Sequence, residues 1–366
     1  MASSGARPFS RGLRALIRPG WRSRVERRLQ RLWFAPHGPI DRMLGGLLWP
    51  LHRLVAWVAA GRRRRIAQAR ALPRPPAQPP VVVVGNLVVG GTGKTPLLIA
   101  LVQALQARGW RPGVLARGYA AAAAAGPARR VSDGDDPAQV GDEPLLVARR
   151  TGVPVVAGRD RAEALRLLLS GSDCTVVLSD DGLQHVGLRR DIELAVFDGR
   201  GAGNRRCLPA GPLREPLSGA LLMDAVILNG EQVTAPLLHS RTFRFHVAPT
   251  AFVALAGERQ WTPEAFVSEL GPDAVDALAG LGSPRRFFDM LALLGVRARR
   301  HPLADHAAPD PAWLAGLPGR FLVMTEKDAV KCAAFDPTLL ARCVALRVDA
   351  VPEGALVDWL EDRLRG

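Results

Sequence analysis

VVVVGNLVVGGTGKTP, residues 81–96, decides how the rest of the chain is read. Four consecutive valines form a run that suits a strand buried on both faces, because β-branched side chains pack well on a pleated surface. The run stops at Gly85 and Asn86, passes through a glycine-rich turn, and enters a helical apolar spacing over 97–107. A strand, a glycine loop and a helix in that order are what a phosphate-binding loop requires. Gly90, Gly91 and Gly93 let backbone N–H groups close around phosphate oxygens, and the helix N-terminus favours the anion. Lys94 is placed to neutralise terminal phosphate oxygens and Thr95 to ligate Mg²⁺. The whole loop, with Val88, Val89 and Thr92 between those residues, is therefore a candidate site for ATP. The usual G-x-x-x-x-G-K-[ST] pattern would put glycine at position 88, where this chain has Val88. Only three lysines occur, Lys94, Lys327 and Lys331, in a chain that otherwise uses arginine. A compact ammonium suits this loop better than a planar guanidinium.

Working outward, apolar runs recur at 113–118, 153–158, 175–180, 193–199 and 225–230, with helical spacing in several of the gaps. Buried runs alternating with helices imply a P-loop NTPase-like α/β fold, a parallel sheet with helices on both faces. Ligands then gather at the C-terminal strand ends, which here read Gly, Asn and Asp. In TVVLSDDGLQH, 175–185, Asp180 is the natural second metal-binding residue, with Asp181, Gln184 and His185 over the same strand end. Alone, that stretch would read as an Asp-Gly turn. GDEP, 141–144, offers Asp142 and Glu143, and equally suits a capped helix start. A lone His306 in ADH is more often structural, and Thr325 with Asp328 has the spacing of a helix cap.

After about residue 240 the texture changes. Runs at 242–247 and 252–257 look hairpin-like, and 275–291 reads as strand, glycine loop and helix with Pro284 in the first turn. Further strands are expected at 321–328 and 343–349. The expected organisation is a basic arm over 1–80, a nucleotide-binding domain over 81–240 and a smaller α/β domain over 241–366.

The arm carries 17 arginines against Glu26 and Asp41, so it holds the entire net charge of +15, while the remaining 32 basic and 32 acidic residues cancel. A nucleic-acid enzyme would more often carry a basic stripe on its folded body, so no nucleic-acid partner is expected. Residues 44–60, LGGLLWPLHRLVAWVAA, place Leu44, Leu47, Leu48, Leu51, Leu54, Val55 and Val58 on one helical face. The run is interrupted by Pro50, His52 and Arg53 and is short for a span of about 20 residues. With Trp49, Trp57 and the following Arg62, Arg63, Arg64 and Arg65, it reads as an interfacial helix with a polybasic flank. The alternative is an amphipathic helix packed on the protein's own core. The poly-alanine tract 120–125 reads as a mobile loop. Four scattered cysteines suggest free thiols rather than a disulfide framework or zinc site.

Taken in order, GNLVVGGTGKTP, RGY (117–119), GDEP, SDDGLQH, LPAGPLREP (208–216), GSPRRFF (282–288), ADH and TEKDAVK resemble the lipid A 4'-kinase family, from about residue 33 to near the C-terminus. Val88 stands where relatives are expected to carry Ser or Thr. The resemblance implies ATP- and Mg²⁺-dependent transfer of a phosphoryl group to the 4'-hydroxyl of an acylated disaccharide 1-phosphate. It also implies a location on the cytoplasmic face of the inner membrane. It places Asp142, paired with His306, as the base, and Lys94, Thr95, Asp180, Asp181, Gln184 and His185 around the nucleotide and metal. Two rivals stay open: a membrane-associated P-loop ATPase with no small acceptor, and a GTPase. Against the second, TEKD puts Glu326 where a guanine-reading motif has lysine.

Overall fold

The computed structural model describes residues 28–35, 38–118 and 126–366. Tyr119 and the poly-alanine tract lie outside the described residues, as do residues 1–27, 36 and 37. Strand β1 (Val81–Gly85) is wholly buried. It lies parallel to β5 (Val176–Asp180) on one side and β6 (Ile192–Asp198) on the other. Val82 and Val84 face one core while Val81 and Val83 face another, the period-2 consequence of a strand covered on both faces. Beyond β5 come β2 (Pro112–Ala116) and β4 (Val155–Ala157), both parallel, then β3 (Arg129–Val131) as an antiparallel edge.

On the other flank, β7 (Ala225–Asn229) continues the parallel order and leads into β8 (Thr242–Ala254). The two short runs expected to form a hairpin are one 13-residue strand. Its beginning pairs with β7, and most of its length pairs antiparallel with β13 (Cys343–Pro352), with a register shift at Arg347/Val348. Pairing along the full strand keeps its backbone groups satisfied, so no turn is needed between the two runs. From β13 the same sheet proceeds through β12 (Leu322–Thr325) and β10 (Val275–Ala279) to β11 (Ala298–Pro302), giving one sheet across both lobes.

The first lobe's core takes Leu97, Leu98, Leu101 and Leu105 from helix α3 (Lys94–Ala107). It also takes Leu356, Leu360 and Leu364 from the C-terminal helix, Gly354–Arg365. That last helix follows the second lobe in sequence yet covers the first, where Arg108 pairs with its Asp358 and Glu361. An aromatic cluster of Phe252, Trp261, Phe266 and Phe321 centres the second lobe.

Ahead of β1, helices α1 (Pro39–Leu47) and α2 (Trp49–Ala71) meet at a 51° bend. Ala59, Arg63, Ile66 and Arg70 recur every three or four residues and form the face of α2 that meets the body. Arg63 is buried between Glu193 at 2.8 Å and Glu215 at 2.6 Å, and Arg70 reaches Asp224 at 3.0 Å. This corrects the expectation for the arginine run: Arg63 is an internal ion-pair residue, while Arg64 and Arg65 remain exposed. The outward apolar set also differs in part. Ile40, Met43, Leu47, Leu51, Leu54, Trp57 and Val58 are exposed, whereas Leu44, Leu48 and Val55 are half-buried toward the body. The four cysteines are free.

Candidate active site

Four parallel strands end at Gly85, Asp180, Asp198 and Asn229, and the site is built on those ends. The phosphate loop leaves β1 and closes at Gly93, which has φ +87°. A Cβ there would come within 2.5 Å of Asn229 Nδ2, so only glycine fits. Lys94 begins α3 immediately afterwards. The loop's early residues are engaged elsewhere. Val88 is buried in the core and bridges to Leu213, and the Val89 N–H donates to the Pro212 carbonyl at 2.9 Å. The Val89 N–H is therefore committed to Pro212, which leaves residues 90–95 as the candidate phosphate cradle.

Thr95 Oγ1 lies 3.4 Å from Asp180 Oδ2. The other oxygen of Asp180 is buried with no hydrogen-bond partner among the described residues. Burial, reinforced by Glu143, pushes the Asp180 carboxyl up to about 7 even though Lys94 and Arg161 pull the other way. A buried carboxylate oxygen without a donor, beside a threonine hydroxyl, fits a divalent cation, which would draw its other ligands from phosphate and water. Asp181, in the left-handed region at φ +50°, turns toward Lys94 at 3.5 Å and accepts both oxygens' worth of contact from Arg214 at 2.8 Å. Burial alone would raise its carboxyl; Lys94 and Arg214 outweigh that and hold it at about 2. Asp181 is thus the anionic partner of the lysine that begins α3.

Gln184 and His185 go separate ways. Gln184 Nε2 donates to Glu215 at 2.9 Å and to the Asn86 carbonyl at 3.3 Å, supporting the start of the loop. His185 lines a cavity of about 610 Å³ with Arg117, Arg159, Arg161 and Glu163. Burial, with Arg161, Arg117 and Arg190 nearby, lowers its imidazole to about 4, so it is neutral at physiological pH. Three arginines around one cavity suit an anionic group.

Asp142 and His306 meet across the lobes. Asp142 opens helix α4 (Asp142–Thr151) behind Gly141, the residue in the cap position; its Oδ1 accepts the Glu143 N–H and its Oδ2 faces His306 Nδ1 at 3.1 Å. Burial would raise the Asp142 carboxyl, but the His306 hydrogen bond and the Lys327 and Lys331 charges hold it below its ordinary range. The Asp142 hydrogen bond conversely raises His306, against burial and Lys327. A carboxylate held down is a poor proton acceptor; an imidazole raised by its partner is a better one. The pair is thus a carboxylate set against an imidazole, with the imidazole the more basic member.

TEKDAVK does form the cap: Thr325 accepts the Asp328 N–H. It also does more. Lys327 Nζ lies 2.9 Å from Glu143 and 3.4 Å from His306 Nε2, and Lys331 Nζ lies 3.6 Å from Asp142. Two of the chain's three lysines thus gather on Glu143 and Asp142, while Lys94 pairs with Asp181. Their scarcity among arginines was the signal that could have marked the last two. Arg214 and Glu215 lay within LPAGPLREP, a stretch quoted for the resemblance but given no role.

A family model described as tetraacyldisaccharide-1-P 4'-kinase matches residues 44–365. The chain belongs to the tetraacyldisaccharide-1-P 4'-kinase family. Among relatives named tetraacyldisaccharide 4'-kinase, that of Azotobacter vinelandii is 46% identical over 92% of this chain and 96% of its own. That of Ectopseudomonas mendocina is 44% identical over the same shares. The crystal structure of LpxK from Aquifex aeolicus in complex with ATP aligns with a TM-score of 0.71 at 26% identity, covering 88% of this chain and 99% of that one. The P-loop fold and both lobes of this 4'-kinase family member are thus accounted for, and its matched span includes α2, so the docked helix belongs to the family's common part.

Proposed function

We infer that the chain is a kinase of lipid A biosynthesis, transferring the γ-phosphoryl group of ATP to the 4'-hydroxyl of a tetraacyldisaccharide 1-phosphate. The observation that carries this is a second-lobe imidazole held by Asp142, whose neighbour Glu143 is close enough to Asp180 to raise its carboxyl, beside the phosphate loop that Lys94 closes. An ATPase needs only the phosphate loop. The loop and Lys94 hold the triphosphate. A bound Mg²⁺, for which Thr95 and Asp180 are the available protein ligands, would neutralise phosphate charge. With Nδ1–H donating to Asp142, His306 presents Nε2 to take the acceptor hydroxyl's proton. As that proton leaves, the oxygen bonds to the γ-phosphorus and the bond to the β-phosphate oxygen breaks, releasing ADP. Lys327, beside Nε2, favours the neutral imidazole before reaction and can meet phosphoryl charge. The arginine-lined cavity by His185 is the reading we favour for the acceptor's own phosphate.

The same proposal places α1 and α2 on an anionic membrane surface at the cytoplasmic face of the inner membrane, where the acyl chains stay in the leaflet. In its support, apolar side chains point outward beside exposed Arg53, Arg64 and Arg65. No single helix among the described residues is long and apolar enough to cross a bilayer, though the bent pair passes by length and composition.

Labelled ATP, Mg²⁺ and the disaccharide 1-phosphate in detergent micelles test the activity. The expected product carries a new 4'-phosphate; ATP hydrolysis without transfer would favour the ATPase rival.

A further inference from the structure

Three successive carbonyls of the phosphate loop are each held by a side chain that the mechanism above does not use. Asn86 Nδ2 donates to the Gly90 carbonyl at 3.0 Å, Arg200 to the Gly91 carbonyl at 2.9 Å, and Asn229 Nδ2 to the Thr92 carbonyl at 3.1 Å. In a trans peptide the C=O and the following N–H point in opposite directions. Holding these carbonyls outward therefore turns the N–H groups of Gly91, Thr92 and Gly93 inward. Three aligned donors ahead of a helix start form an anion nest. Two of the clamps are neutral amides anchored in the first lobe. The third is different. Arg200 Nε is fixed by both oxygens of Asp198 at 3.0 Å, and the same carboxylate accepts from Arg286 at 2.7 Å. Asp198 is buried at the end of β6, whereas Arg286 stands on the second-lobe helix Pro284–Leu293.

We propose that Arg286 is a positioning residue for the nucleotide: through Asp198 it fixes Arg200, and through Arg200 the Gly91–Thr92 peptide. Affinity for the triphosphate then depends on a residue of the lobe that does not contain the loop. This rests on the reading of residues 90–95 as the nucleotide site. It also gives the second arginine of GSPRRFF a task, and makes approach of the two lobes and readiness of the phosphate loop one event. The Arg286 side chain is 50% exposed, so its removal should leave the fold intact.

The test uses the full chain in detergent, with a fluorescent ATP analogue for affinity and steady-state kinetics for KM and kcat. Arg286→Ala should weaken analogue binding and raise KM for ATP by about tenfold, the scale of one lost charge-assisted hydrogen bond, with kcat at saturating ATP held within about threefold. Arg286→Lys should recover most of the loss, since one ammonium can still reach Asp198. Arg200→Ala should be weaker still, and Arg200→Ala with Arg286→Ala no weaker than Arg200→Ala alone. Analogue binding unaffected by Arg286→Ala would overturn the proposal, as would losses that multiply in the double variant. Failure of the native chain to bind the analogue would overturn the nucleotide reading itself.

Discussion

His306 Nδ1 stands 3.1 Å from Asp142 Oδ2, joining residues 164 positions apart on opposite lobes. Each changes the other's acidity, lowering the carboxyl and raising the imidazole. His306→Ala should cut turnover by roughly 10²–10⁴-fold with nucleotide binding retained, and Asp142→Asn should lose activity too. The double variant should be little worse than the poorer single one, because the two act as a unit. The native pH–rate profile should fall on the acid side around a midpoint above His306's ordinary value of 6.5, where the base becomes protonated. Removing the carboxylate lowers the imidazole's basicity, so the acid limb of Asp142→Asn should move to lower pH. A limb that stays in place would show that another group is the base.

Lys94 is paired with Asp181, itself fixed by Arg214. Lys94→Ala removes the one cation that begins the helix while leaving the loop's backbone contacts in place. We expect a loss of roughly 10²–10³-fold in turnover with an unchanged circular dichroism spectrum. Arg214→Ala should be milder and should appear mainly in KM for ATP, because it acts through Asp181. Near-normal turnover of purified Lys94→Ala would contradict the assignment.

Asp180 sacrifices stability for function. Its folded carboxyl titrates near 7, whereas an unfolded aspartate titrates near 4, so the folded state binds more protons across that interval. Stability from this group therefore falls as pH rises from about 4 to about 7, and the deficit persists above. In metal-free buffer at pH 8, Asp180→Asn should melt at a higher temperature than the native chain while losing activity. Calorimetry showing a lower melting temperature for the variant would mean that Lys94 and Arg161 already compensate the charge.

Arginines of one run should behave differently. Arg63→Ala leaves buried Glu215 with only the Gln184 hydrogen bond, while Glu193 keeps Arg190 and Arg70, and should cost about 3 kcal/mol, seen as a shifted denaturation midpoint. Arg64→Ala with Arg65→Ala should leave that midpoint unchanged and reduce sedimentation with anionic liposomes, an effect erased by high salt. Replacing exposed Leu51, Leu54 and Trp57 by serine should weaken liposome binding even at low salt. Binding indifferent to all of these changes would remove the docking proposal.

What could be determined from sequence alone was local or periodic. The valine run, the glycines and the helix after Lys94 specify a phosphate loop because φ > 0, burial on both faces and helical spacing are properties of neighbouring residues. The strand end at Asp180 followed from the same alternation, while the runs at 193–199 and 225–230 overran Asp198 and Asn229 by one residue. Tertiary structure decided whatever depended on a distant partner. Whether 242–254 turns or runs straight is set by β13, a hundred residues later. Whether an arginine seeks a membrane or a carboxylate is settled for Arg63 by Glu193 and Glu215, which no periodicity in 44–65 announces. Lys327 and Lys331 read as parts of a capped turn until the fold sets them against Glu143 and Asp142. Periodicity reports which face of an element is buried; the identity of what lies against that face, and hence its charge and chemistry, exists only once the chain has closed on itself.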